Sequence, residues 1–426
     1  MSTQQPESLL GPYRVLDLTD EKGLFCGKLF GDLGADVIKV EKPGGDPARN
    51  IGPFYRDVFH PERSLFWFAL NLNKRGITLD IETADGQELF KRLIKTADFV
   101  IESFEPGYMD GLALGYSALE EINPRIILVS ITPFGQTGPY AHYKASDIVA
   151  WAAGGELHVS GDPERPPVRV SFPQAYLHAG AAGAVGAMAA HYHREMTGEG
   201  QWVDVSAQAC VTRVTMEAVQ HYDVGNMLRE RGGATFRYTR PEPAGPFTFR
   251  AIWPCKDGHI CWVHGLAGGA HPGFLASTKA LLEMADRDGM AGDLKDYDWA
   301  KLDTSTIRQE EIDHQAEILG NFFLSKTTME LYEEAVKKEI HLAPLCTSRE
   351  LAENPHLAAR EAWVKVEHPE LGEAITYPEA WAKLTETPLR LRRRAPLIGE
   401  HNEDIYEKEL GLSKGEMAML KASRVI

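Results

Sequence analysis

The sequence predicts an α/β protein with a largely parallel sheet, accompanied by a smaller domain in the middle of the chain. Three observations carry that expectation. Short β-branched and aliphatic runs alternate with helix-patterned segments up to residue 132. At 426 residues the chain exceeds what a single hydrophobic core usually holds. From about Asp223 the texture changes, with Gly, Pro and Arg replacing the periodic pattern.

Residues 13–18 read as the first strand, and residues 25–33 as a helix that Gly34 closes. Residues 36–41 alternate in and out as a second strand. A helix over 83–96 places Asp85 and Glu88 early and Lys91, Arg92 and Lys95 late, complementing the helix dipole. Residues 99–102 and 125–132 are further strands, so βαβ units and parallel pairing follow. Residues 229–246 lack periodicity and read as a linker or irregular crossing. Residues 247–253 and 259–263 flank Lys256-Asp257-Gly258 as a hairpin, and 265–273 form a glycine-rich loop. Residues 293–340 are polar, acidic and helical. The stretch after Ala358 holds strands, turns and a closing amphipathic helix. The domain expectation is a large domain over 1–225, a small domain over 226–345 and a return to the large domain over 346–426.

Composition excludes several classes. The 45 basic and 61 acidic residues leave a net charge of −16, which repels phosphate backbones and gives little help toward anionic lipid. The polar start lacks a signal-peptide pattern, and the apolar stretch 179–190 is too short to cross a bilayer. Five scattered cysteines suit a reducing cytoplasm, the expected location. Cys255 and Cys261 read as small apolar side chains of the hairpin rather than a disulfide. His191 and His193 point to different helix faces, so a metal site made by that pair with His178 is not expected. No Gly-x-Gly-x-x-Gly follows the first strand, which argues against a nucleotide-dependent dehydrogenase.

Ordered words run along nearly the whole chain. They are Arg14-Val15-Leu16-Asp17-Leu18-Thr19, Gly31-Asp32-Leu33-Gly34-Ala35-Asp36, Asn73-Lys74-Arg75-Gly76, Glu105-Pro106-Gly107, Asn123-Pro124-Arg125, Thr197-Gly198-Glu199-Gly200-Gln201 and Gly399-Glu400-His401. The set resembles the family III CoA-transferases of the CaiB–BaiF type. The resemblance implies a Rossmann-like large domain built from both chain ends, a smaller middle domain and an interlocked dimer. It implies a coenzyme A thioester as substrate and no permanently bound cofactor. It also implies an aspartate that attacks an acyl-CoA, releases CoA thiolate from the mixed anhydride, and is then itself converted to a CoA thioester.

The same resemblance shows where this chain departs. The family's aspartate precedes by four residues a Gly that opens an Ala-rich helix, read here as 179–194 with Gly180. The matching position is Tyr176, and a phenol has no carbonyl that a thiolate could attack. Gly111 stands where an Arg usually meets CoA phosphates, and the first loop carries Asp20 and Glu21 instead of Ala-Gly-Pro. Lys42, Arg75 and Lys144 match positions that contact adenine or phosphate in relatives. The resemblance therefore implies no catalytic residue in this chain, and a homologous CoA-transferase subunit as the partner that carries the catalytic Asp. The alternatives are a homo-oligomeric acyl-CoA racemase or isomerase using a base such as His178, or a non-catalytic structural or regulatory chain.

Overall fold

The computed structural model describes residues 8–238 and 245–426, which divide into two compact units. The first comprises the described residues up to Leu157, with Arg169–Leu228 and Pro355–Ile426. Its strands are β1 (Arg14–Asp17), β2 (Asp36–Glu41), β3 (Lys74–Thr78), β4 (Phe99–Glu102), β5 (Ile127–Thr132) and β6 (Trp202–Ser206). They form one sheet in the order β3-β2-β1-β4-β5-β6, and each neighbouring pair is parallel. The helices are α1 (Leu24–Asp32), α2 (Leu65–Leu70), α3 (Ala84–Ile94), α4 (Tyr108–Gly111), α5 (Tyr116–Ile122), α6 (Asp147–Ala153), α7 (Ala175–Thr197), α8 (Ala207–Val214) and α9 (Met216–Gly225).

The period of two in the strands builds two cores, one on each face of the sheet. Val15, Val37, Phe99, Ile101, Ile127 and Val129 join Phe30 of α1 and the alanines of α7. Leu16, Ile38, Ile77, Val100 and Leu128 face the other way, onto Leu89, Phe90, Leu93 and Ile94 of α3. Ile405, Tyr406, Val425 and Ile426 complete that second core, so residues 405–426 return to pack on this face of the sheet. Backbone and side-chain bonds stitch them to the β3 edge. Gly76 N donates to His401 Nδ1 at 3.1 Å, Thr78 N to Asn402 Oδ1 at 2.9 Å, and Asp80 N to the Val425 carbonyl at 2.8 Å.

The second unit comprises His158–Val168 and Arg229–Asn354. It holds β7 (Thr235–Tyr238), β8 (Phe247–Arg250), β9 (Ile252–Pro254), β10 (His259–Trp262), α10 (Ala267–Ala270), α11 (Pro272–Arg287), α12 (Gln309–Leu324), α13 (Thr328–Lys338) and β11 (Leu342–Pro344). Strand β10 lies between β9 and β11, antiparallel to both, over a core containing Trp253, Trp262, Phe322 and Phe323.

Two expectations for this region need correction. The stretch read as an irregular linker contains β7, which pairs antiparallel with β8. Cross-strand ring contacts of Phe236 with Phe249 and of Tyr238 with Phe247 hold that pair, and the surrounding Gly and Pro concealed the pattern. The loop expected over 265–273 instead contains α10 and the start of α11, where Pro272 occupies a first-turn position that needs no amide. Cys255 and Cys261 are both free, as are Cys26, Cys210 and Cys346. No helix among the described residues is long and apolar enough to cross a membrane.

Candidate active site

In the sheet order, β1 stands between β2 and β4: the chain steps outward from β1 through β2 to β3, then crosses back to place β4 on the other side of β1. A crevice forms outside the carboxyl ends of the strands at such a point. Here a cleft of about 490 Å3 lies there, lined by Leu18 after β1, Val40 and Lys42 at the end of β2, Leu79 and Ile81 after β3, and Phe104 after β4.

Below the cleft sits a buried charge network. Lys74 Nζ meets Asp17 Oδ2 at 2.7 Å and the Leu24 carbonyl at 2.9 Å, with both side chains fully buried. Burial pushes the Asp17 carboxyl up, but Lys74 and Lys39 overcome it and hold the group below the usual carboxylate range. Lys39, also buried, pairs with Asp46 at 2.9 Å and donates to the Thr19 carbonyl at 2.6 Å. Arg49 takes Glu41 through two nitrogens at 2.6 and 2.8 Å, and Glu62 at 2.6 Å. The loop after β1 is thereby anchored from below.

Helix α7 begins at Ala175, four residues before the predicted start. The reason is a cap from a distant segment. Asp147, on α6, accepts the Gln174 amide at 3.1 Å and the Tyr176 amide at 2.9 Å, satisfying first-turn donors that no local side chain reaches. Tyr176 thus lies in the first turn of α7, where it is buried and its phenol donates to the Ala145 carbonyl at 3.1 Å. Burial, and then the nearby carboxylates Glu21, Asp20 and Asp147, push the phenol well above its ordinary pKa. It stays protonated. Four residues on, a Cβ at Gly180 would stand 2.9 Å from Phe25 Cβ and 3.0 Å from the Cys26 amide nitrogen. Glycine there lets α7 lie directly against α1.

The structure scatters the expected ligand residues. Lys42 follows the carboxyl end of β2, beside the cleft, and pairs with Glu82 at 2.8 Å. Arg75 lies at the amino end of β3, the opposite edge of the parallel sheet. Its guanidinium meets Asp36 and Glu409, each at 2.6 Å. Lys144 is exposed and next to Ala145, the residue that receives the Tyr176 hydroxyl. Lys42 and Arg75 are therefore not brought together. His178 lies further along α7, with Nε2 3.8 Å from Glu156 Oε2. Among the described residues no group of His, Cys, Asp or Glu could hold a metal ion.

Sequence reasoning passed over Asp147, Glu82 and Glu102. Asp147 lies three residues after Lys144, but its role depends on a helix 27 residues away. Glu102 ends β4, accepts the Phe104 amide at 2.7 Å, and is pushed up to about 7 by burial.

Residues 10–402 match the family model described as CoA-transferase family III. This chain belongs to CoA-transferase family III. It is 36% identical over 395 residues to the succinyl-CoA:(R)-benzylsuccinate CoA-transferase subunit BbsE of Thauera aromatica, covering 92% of each chain. It is 32% identical over 431 residues to the succinyl-CoA–D-citramalate CoA-transferase of Chloroflexus aurantiacus, covering 100% of both. A crystal structure of a CaiB/BaiF family protein from Brucella suis superposes with a TM-score of 0.79 at 27% identity, covering 95% of this chain and 100% of that one.

Proposed function

We propose that this chain is one subunit of a heteromeric CoA-transferase, with the nucleophilic aspartate supplied by a homologous partner chain. Tyr176 carries the reading. It is a buried phenol, bonded to a backbone carbonyl and held protonated, at the position that the sequence resemblance matches to the family's carboxylate. Even if it were acylated it could not become a CoA thioester, because it has no carbonyl of its own.

Two further observations support a partner. BbsE is named as a subunit, and the succinyl-CoA–L-malate CoA-transferase of Chloroflexus aurantiacus has alpha and beta subunits that are 29% and 33% identical to this chain. Helix α9 has no buried residue, and Met216, Val219, Tyr222 and Val224 stand exposed on it, an apolar surface that another protein would cover. In this reading succinyl-CoA is the donor, as in the names of these relatives, and a carboxylic acid such as (R)-benzylsuccinate is the acceptor.

The test is native mass spectrometry of the protein purified from its source, with every accompanying chain sequenced. The expected result is a complex with a family III chain carrying Asp at the position of Tyr176. A homodimer that transfers CoA unaided would overturn the proposal. Proton exchange next to the thioester, catalysed by the homodimer and lost in His178→Ala, would favour an isomerase instead.

A further inference from the structure

We propose that the switch-point cleft of this chain is closed to CoA thioesters by two of its own carboxylates, Asp20 and Glu82, which occupy the seats where phosphate groups would sit. CoA is polyanionic, so a cleft that takes it must offer unpaired cations or free N–H and O–H donors.

Asp20 uses up one set of donors. Its Oδ1 accepts the Lys22 amide at 3.1 Å and the Ser103 hydroxyl at 2.8 Å, and its Oδ2 pairs with the Lys22 ammonium. These groups lie in the turn that opens α1, the kind of place where backbone amides and a cation receive a phosphate. In this chain they already hold a carboxylate.

Glu82 uses up the other set. It pairs with Lys42 at 2.8 Å and accepts the Tyr108 hydroxyl at 2.6 Å, while the Tyr108 ring stacks on Phe104 at the wall of the cleft. Two partners therefore fix the carboxylate beside the cleft, and they keep it ionised. The remaining cations around the cleft are no freer. Lys39 is spent on Asp46, and Arg49 on Glu41 and Glu62. An entering phosphate would have to displace a carboxylate and then remain beside it, against like-charge repulsion. The inference concerns this chain's own cleft and holds whether or not a partner supplies the chemistry.

The experiment uses the protein in its native assembly and 8-azido-CoA, irradiated and mapped by peptide mass spectrometry. The wild-type chain is expected to carry no label on the peptides containing Ile81 or Phe104. Asp20→Asn with Glu82→Gln keeps the shapes and removes both charges. Label should appear on those peptides, and CoA measured by equilibrium dialysis should bind this chain at least about tenfold more tightly, a change of about 1.4 kcal/mol. Label on the wild-type peptides would overturn the proposal. So would a folded double variant that stays unlabelled. Glu82 is half exposed, so Glu82→Gln alone reads its share where the Asp20 substitution impairs folding. A missing partner chain would refute the heteromeric reading and leave this labelling result interpretable.

Discussion

Asp147 accepts the backbone amide of Tyr176 at 2.9 Å, while the Tyr176 side chain returns to the carbonyl of Ala145, two residues before Asp147. The α6 segment and the first turn of α7 thus hold each other through one carboxylate and one phenol. Tyr176 is bound at both ends, through its amide and through its hydroxyl. Tyr176→Phe removes only the hydroxyl's bond, at a cost of about 1 kcal/mol. If a partner chain supplies the nucleophile, as proposed, the kcat of the protein in its native assembly should stay within about twofold of wild type. A fall of two orders of magnitude in steady-state turnover would show that the phenol takes part in chemistry.

Restoring the carboxylate should not restore the chemistry. In Tyr176→Asp the new side chain would be buried near Asp20, Glu21 and Asp147, all of which disfavour a further negative charge. Burial and these three carboxylates would raise its pKa above the ordinary carboxylate value and disfavour the ionised form that attacks a thioester. Intact mass spectrometry of the purified variant after incubation with succinyl-CoA should show no covalent CoA adduct. An added CoA mass would mean that the rest of the site is competent.

The cap itself can be tested apart from the phenol. Asp147→Ala leaves the Gln174 and Tyr176 amides without their acceptor and should cost about 1–2 kcal/mol. Asp147→Asn keeps one of the two accepting oxygens and should recover about half of that loss. Denaturant unfolding at fixed protein concentration measures both, and equal losses would show that charge rather than hydrogen bonding matters.

Under the sheet, Lys74 and Asp17 face a harsher accounting, because both are fully buried. Lys74→Met leaves the Asp17 carboxylate without its direct partner, and loss of one member of a buried pair costs about 3–5 kcal/mol. The variant should unfold at markedly lower denaturant or fail to accumulate. Asp17→Asn with Lys74→Met, which removes both charges, should be the milder change. A double variant as unstable as the single would show that packing, not charge, dominates at this position.

Much of the sheet was legible because its signal is local. Val15 and Leu16, or Val37 and Ile38, alternate between two cores, and a period of two survives in any short window of sequence. Relationships that close across long separations were not legible. Asp17 and Lys74 are 57 positions apart, and both occur in words quoted for the family resemblance, yet nothing in either word pairs them. Arg75 read as a ligand residue because its neighbours matched. Its engagement with Glu409, 334 positions away, became visible only when the chain's end returned to the β3 edge. The start of α7 was misplaced for the same reason, since its cap comes from α6.

Glu102 should make stability depend on pH in a direction opposite to that of a salt-bridged carboxylate. Burial pushes its folded pKa up from 4.5 to about 7, although Ser130 and the Phe104 amide favour the charged form. Between those two values the unfolded chain has lost the proton and the folded chain keeps it. The folded state then binds more protons, so stability falls as pH rises through this window and levels off above about 7. The full effect is roughly 3 kcal/mol. Glu102→Gln keeps an acceptor for the Phe104 amide and has no proton to lose. Relative to wild type it should therefore gain stability between pH 5 and pH 8, with most of the gain complete by pH 8. Paired unfolding curves at these two pH values measure the difference, and a constant offset would show that Glu102 does not titrate in the folded protein.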